Sequence, residues 1–262
     1  MDPLDEKFIA NPYSLFSLEG KRVLVTGASS GLGRRFAQVL NGAGARVAIV
    51  ARRVDRLEEL ARELRDPVAI PADLEESGAA RRVVDAAVNQ LGGIDIVVNN
   101  AGATNTEPAV DDESFRRIVN LDLTVPFEIA RHSARHAIAE SQNLSIINIA
   151  SIIGIVASRS IPQTSYAASK AGLIGLTREL ATQWARLDIR VNAIAPGWFP
   201  SEITSGPVFE DPKGLQHIQR NTPMGRPAKA YELDGALLFL ASRASSYVTG
   251  QVIVVDGGWT II

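Results

Sequence analysis

Lys21-Arg-Val-Leu-Val-Thr-Gly-Ala-Ser-Ser-Gly-Leu-Gly33 joins a short apolar run to a segment of helical spacing through three glycines, and this stretch decides the fold. The run Arg22 to Thr26 is too short and too apolar for a half-solvated strand and reads as a buried one. Gly27, Gly31 and Gly33 then follow as G-x-x-x-G-x-G, where missing side chains let the backbone turn sharply and come close to a ligand. Arg34 to Leu40 reads as helix, so its first N–H groups and positive dipole end face whatever rests on the glycines, and a phosphate suits that place. The spacing is neither the G-x-G-x-x-G fingerprint nor a P-loop, and such a turn also serves plain strand-to-helix packing.

Outward from this stretch, strands and helices alternate. Strands are expected at Arg46 to Val50, Val68 to Pro71, Ile94 to Asn99, Leu144 to Ala150, Arg190 to Ala195 and Val252 to Val255. Helices are expected at Asp55 to Leu64, Ser77 to Leu91, Asp111 to His136, Ser165 to Arg186 and Tyr231 to Ala241. Residues 1–19 read as an irregular extension, with Phe8, Tyr13, Leu15 and Phe16 free to lie on the domain or on a neighbouring subunit. Residues 198–226 hold four prolines and no clean period, and read as a mobile excursion. The alternation implies right-handed crossovers and an α/β fold with a parallel sheet covered by helices on both faces. Ligands bind such sheets at the carboxyl ends of the strands. The polar and glycine-rich clusters fall there: Gly27 to Gly33, Arg52 and Arg53, Asp73, Asn100-Ala-Gly102, Ser151, and Pro196-Gly197.

Composition narrows the classes. A net charge of −2 gives no reason to expect a nucleic-acid partner. The most apolar run, Leu144 to Ser158, is broken by Asn148, Ser151 and Gly154 and is shorter than the ~20 residues of a membrane span. With no cysteine there is no disulfide framework and no thiolate metal site, which fits a reducing, cytoplasmic setting. His132 and His136 stand four apart on a helix with no third ligand nearby, and read as a surface pair without metal.

Ser165-Tyr-Ala-Ala-Ser-Lys170 opens a long helix and puts Tyr166 and Lys170 on one face, four residues apart. An ammonium beside a phenol favours phenolate, so Lys170 is expected to lower the Tyr166 pKa and make it an acid or base near neutrality. Ser151 could bond the same substrate oxygen, or simply satisfy a local turn.

Taken in order, Thr26-Gly-Ala-Ser-Ser-Gly-Leu-Gly33, Asn99-Asn-Ala-Gly102, Ser151, Tyr166-Ala-Ala-Ser-Lys170 and Pro196-Gly197 resemble the motifs of the short-chain dehydrogenase/reductase family, over about Leu18 to Gly258. The resemblance implies one Rossmann-like, doubly wound domain over residues 20–262 with a mostly parallel seven-stranded sheet, a nicotinamide cofactor, a homotetramer or homodimer, and an Asn-Ser-Tyr-Lys tetrad made here by Asn120, Ser151, Tyr166 and Lys170. It further implies that Tyr166 delivers a proton to a carbonyl oxygen as hydride arrives. Lys170 would hold the ribose hydroxyls, and Asn120 a water that resupplies the proton. Within the glycine turn Ser29, Ser30 and Leu32 belong to the implied cofactor set, as do Leu74 beside Asp73 at the adenine and Ser201, where many members have threonine. The step from Ser151 to Tyr166 is two residues longer than the commonest family spacing. The C-terminal Val248 to Gly258 is similar to that of 3-oxoacyl-carrier-protein reductases and sugar or polyol dehydrogenases.

Choice of cofactor turns on the end of the second strand. An unphosphorylated ribose wants a carboxylate, and the family's acidic position is Ala51 here. Arg52 and Arg53 follow, with Arg34 past the glycine turn, so a 2′-phosphate meets guanidinium forks and NADP(H) is favoured over NAD(H). Asp55 could instead reach the ribose. Val156, Arg159, Ile161, Trp198 and Phe199 are expected to face a small-molecule carbonyl or alcohol substrate. An epimerase or dehydratase of the same family, or a dinucleotide sensor without turnover, are the alternatives to an NADP(H)-dependent oxidoreductase.

Overall fold

The computed structural model describes residues 3–106, 111–158, 161–202 and 209–262. Seven strands form one all-parallel sheet: β1 (Arg22–Thr26), β2 (Arg46–Ala51), β3 (Val68–Pro71), β4 (Ile96–Asn99), β5 (Leu144–Ile149), β6 (Ile189–Pro196) and β7 (Val252–Val255). Their order is β3-β2-β1-β4-β5-β6-β7. The α-helices among the described residues are α1 (Pro3–Ala10), α2 (Gly31–Gly42), α3 (Val54–Glu63), α4 (Ala79–Leu91), α5 (Asp112–Val119), α6 (Val125–Ala139), α7 (Thr164–Trp184), α8 (Pro212–Asn221) and α9 (Asp234–Ala241). The alternation read from the sequence is therefore the observed architecture.

Alternate residues of each strand serve opposite cores. Leu24, Val97, Ile146 and Val191 pack with Ile129 and Leu180 on one face. Val23, Ile49, Val98, Ile147 and Ile194 pack with Phe36, Leu57, Leu60 and Leu237 on the other. Fully burying a leucine contributes ~1.5–3 kcal/mol, so α3 docks through Leu57 and Leu60, the only residues it buries.

Some elements depart from expectation. Residues 3–19 are not irregular: α1 and a short helical turn at Pro12–Phe16 lead to Leu18, which is completely buried. The expected excursion carries α8, started by the Asp211 side chain accepting from Lys213 N and by Pro212 in the first turn. The expected helix from Asp111 to His136 is two helices joined by a π-helical turn, Asn120–Thr124. Pro126 explains the break, since it has no N–H for the carbonyl of residue 122 and its ring crowds that carbonyl.

The chain runs outward from β1 to β3, then returns to β4 on the other side of β1. A crevice opens where the order reverses. There Gly27 has φ +68°, and Gly33 lies so close behind it that a Cβ at Gly33 would stand 2.2 Å from the Gly27 carbonyl oxygen and 2.4 Å from Asn100 Nδ2. Gly33→Ala should therefore destabilise the protein by about 1–3 kcal/mol, seen as a drop of several degrees in Tm. Gly175→Ala, in an exposed turn of α7 with nothing within 4 Å of its added Cβ, should instead raise Tm slightly, by up to about 1 kcal/mol of stability. Equal thermal shifts in the two variants would contradict this account.

Candidate active site

The turn after β1 and the loop after β4 are tied together at the crevice. Thr26 Oγ1 accepts from Asn100 N at 3.0 Å and Ala101 N at 3.1 Å, and Asn100 Nδ2 donates to the Thr26 carbonyl at 3.0 Å. Asn100 thus braces the glycine turn. Ser30 stands extended just before α2, whose first turn has no side-chain cap, so its N–H groups and dipole remain available to an anion.

A second tie positions the chemistry. Buried Asn99 donates to Asn148 Oδ1 at 2.9 Å, Asn148 donates to Thr177 Oγ1 at 2.9 Å, and Thr177 donates to the Leu173 carbonyl at 2.7 Å. This chain locks β4 and β5 to α7, and so fixes Ser151 beyond β5 relative to Tyr166 and Lys170 on α7. The sequence reading gave Asn148 and Thr177 no role; polar side chains inside otherwise apolar periodic segments were the available signal.

Ser151, Tyr166 and Lys170 share one cavity of about 540 Å³ with Gly27, Ser29 to Gly33, Arg52, Arg53, Asp73, Leu74, Asn100 to Gly102, Pro196, Gly197 and Ser201; Arg34 and Asp55 do not line it, and Arg34 pairs with Glu59 and Glu63 instead. Ser151 is buried, and its hydroxyl oxygen accepts from Ile153 N at 3.1 Å, leaving its O–H to donate. The local-turn role read from the sequence is thus present, and it leaves the hydroxyl proton uncommitted to that turn. Lys170 Nζ donates to the Ile149 carbonyl at 3.0 Å and lies 5.4 Å from the centre of the Tyr166 ring.

Asn120 does not line this cavity, and its side chain makes no hydrogen bond among the described residues. The side chain that reaches Lys170 from this helix is Asp122, completely buried, with Oδ2 3.2 Å from Nζ and Oδ1 accepting from Ala103 N at 2.8 Å. Of these two side chains in the π-helical turn, that of Asp122 is the one paired with Lys170. Asp122 follows buried Ile118 by four and precedes buried Val125 by three, a periodic position that marks it as inward-facing.

Electrostatics also depart from expectation. Burial raises the Tyr166 pKa; Lys170 pulls it down, Asp122 raises it, and a hydrogen bond with Ser151 lowers it, with a net upward shift. The expected lowering by Lys170 is present but outweighed. Burial pushes the Lys170 ammonium down, yet Asp122 and the phenol hold it above the usual lysine range. Burial drives the Asp122 carboxyl up against the pull of Lys170.

At the other end of the cavity Arg53 donates to Ser29 Oγ at 3.0 Å and Ser30 Oγ at 2.8 Å, and pairs with Glu202 at 2.8 Å. Arg56 also meets Glu202. Arg53 holds the Glu202 carboxyl down to about 2. Arg52 is exposed, 3.4 Å from Glu75 and 3.8 Å from Asp73. Ile161, Trp198 and Phe199 line the cavity with Gln163, which was not foreseen, whereas Val156 does not; Arg159 lies outside the described residues. Trp198 packs edge-on against Trp259, 5.4 Å between ring centres. The described residues contain no cluster able to hold a metal ion, and no helix long and apolar enough to cross a membrane.

Fold and site together define a dinucleotide-binding class of enzyme, with a hydroxyl, a phenol and an amine gathered at the end of the nucleotide crevice. The model of the family described as Enoyl-(Acyl carrier protein) reductase matches residues 27–260. The chain is 37% identical over 250 residues to 2-dehydro-3-deoxy-D-gluconate 5-dehydrogenase of Escherichia coli (strain K12), covering 94% of this chain and 98% of that one. It is 36% identical over 252 residues to a 3-oxoacyl-acyl-carrier-protein reductase of Thermotoga maritima, covering 93% and 99%. A gluconate 5-dehydrogenase from Burkholderia cenocepacia J2315, solved in complex with NADP and tartrate, superposes with a TM-score of 0.90 at 33% identity, covering 96% of this chain and 100% of that one. The chain belongs to the short-chain dehydrogenase/reductase family and is an oxidoreductase of CH–OH and C=O groups.

Thr177→Val keeps the shape but strands the buried Asn148 amide. It should destabilise by about 1–3 kcal/mol, read as a lower denaturation midpoint with an unchanged m-value; an unaltered midpoint would show that the tie carries no weight.

Proposed function

We propose that this protein is an NADP(H)-dependent reductase and dehydrogenase that interconverts a ketone and a secondary alcohol on a hydroxylated small molecule of the sugar-acid or polyol type. The convergence of Ser151, Tyr166 and Lys170 with the glycine turn in one cavity carries this reading. The crevice suits a dinucleotide: an uncapped helix start faces the pyrophosphate position, and a Cβ at Gly33 would collide with the backbone of Gly27. When bound, the nicotinamide supplies or accepts the hydride. The chain supplies everything else. Ser151 and Tyr166 donate hydrogen bonds to the substrate oxygen, Tyr166 gives up its proton as negative charge builds there, and Lys170 steadies the phenolate that results. Lys170 also holds the ribose hydroxyls in this reading.

A polyhydroxylated substrate is supported by the cavity wall. Gln163 and Trp198 line the cavity, and their side chains bring an amide and an indole N–H to its wall, groups that bond hydroxyls. The relatives named above as gluconate dehydrogenases point the same way. We read residues 20–262 as one catalytic unit working in the cytoplasm as a homo-oligomer.

Steady-state rates with NADPH across ketogluconates, ketoses and 3-oxoacyl thioesters test the assignment; turnover of thioesters alone would remove the sugar-type reading. Tyr166→Phe should bind NADPH normally while kcat falls by about 100-fold to 10,000-fold, and near-normal kcat on the true substrate would refute the role of the phenol.

Preference for NADP(H) rests on Arg52 and Arg53 beside Ala51, with no carboxylate in the place of that alanine. Removing Arg53 with Arg52 should weaken NADPH binding by about 10–100-fold, the loss of a charge-assisted contact, and leave NADH nearly unaffected. Glu202 already occupies Arg53 and would compete with the phosphate. Its carboxyl pKa is depressed from 4.5 to about 2, so its pairing with Arg53 is complete above pH 4.5 and is lost only as pH falls through about 2. Competition therefore persists at neutral pH, and Glu202→Gln should tighten NADPH more than NADH in fluorescence titrations.

A further inference from the structure

The turn between α5 and α6 places a carboxylate behind the site. Asp122 is completely buried, its Oδ2 is 3.2 Å from Lys170 Nζ, and the Lys170 side chain is only 5% exposed. The pair is closely confined. Ala103 N donates to Oδ1, and Gly102 lies so near that an added Cβ there would stand 2.9 Å from Oδ2. Lys170 in turn faces the Tyr166 ring at 5.4 Å. We propose that Asp122 is a positioning residue that pins the Lys170 ammonium beside the active-site phenol and, by cancelling its charge, sets the pH at which the site works.

The physical reason is local charge. A lone ammonium beside a phenol in a dry cavity strongly favours phenolate, whereas an ammonium already neutralised by a buried carboxylate does so weakly. The charged and titratable groups that act on this corner are Lys170 from α7, Asp122 from the π-helical turn and, at longer range on Asp122, Arg117 from α5. The phenol accordingly keeps its proton at neutral pH, which suits a group that donates to a carbonyl oxygen. As a base for alcohol oxidation it is released only in alkaline solution. This inference rests on the reading of Tyr166 as the acid and base.

A titration that needs no substrate tests it separately. The chain has four tyrosines, so subtracting the ultraviolet phenolate titration of Tyr166→Phe from that of the wild type isolates Tyr166. The same subtraction in an Asp122→Asn background should place the Tyr166 midpoint lower by about one pH unit, and the pH dependence of alcohol oxidation should move to lower pH with it. A midpoint that stays or rises in folded Asp122→Asn overturns the proposal, while active Tyr166→Phe would overturn only the reading of the phenol. Should a single variant fail to fold, the double variant Asp122→Asn/Lys170→Met decides whether the charges are paired. Unpaired buried charge is the costly state, so the double variant should melt above Lys170→Met alone, and one that melts no higher also overturns the proposal.

Discussion

The close approach of α2 to the end of β1 governs the rest of the structure. A parallel sheet covered on both faces has no room for polar chemistry along its strands, so every functional group must emerge at their carboxyl ends. For those groups to meet around one ligand, the first turn must be tight enough to leave the crevice open. Gly33 makes this possible by resting its Cα on the Gly27 carbonyl, where any side chain would collide. Thr26 and Asn100 then draw the β4 loop against the same turn.

Around this frame the protein handles charge in two ways. Near the mouth, Arg52, Arg53 and Arg56 stand partly in solvent and share Glu202, Glu75 and Asp73, contacts that water and salt weaken and that a polyanion can replace. Deep in the cavity, Lys170 is enclosed between a phenol, a backbone carbonyl and a carboxylate. There the low dielectric makes each partner decisive. The exchangeable contacts sit where a cofactor must come and go, and the fixed ones where geometry must not change.

Much of this was legible in the sequence. Strand and helix order followed from alternating apolar runs, and the rim followed from the polar residues that end each strand. Asn120 and Asp122 show where that legibility stopped. Both are polar residues in one helical stretch, and motif position alone chose the first. The apolar period through Ile118 and Val125 favoured the second, and Pro126 warned that the helix would not run straight. The sign of the Tyr166 shift was hidden for a different reason. Spacing shows that an amine is near, but burial and the carboxylate behind it come from segments far apart in the chain. Glu202 likewise reaches Arg53 across 149 positions.

Trp198 and Trp259 meet edge to face, and Trp198 forms part of the cavity wall. The remaining tryptophan of the three, Trp184, closes the distant end of α7. One of the chain's three indoles thus lines the cavity, and a second packs on it. The protein carries its own optical reporter of occupancy, and its intrinsic emission can follow loading of the crevice without any attached dye.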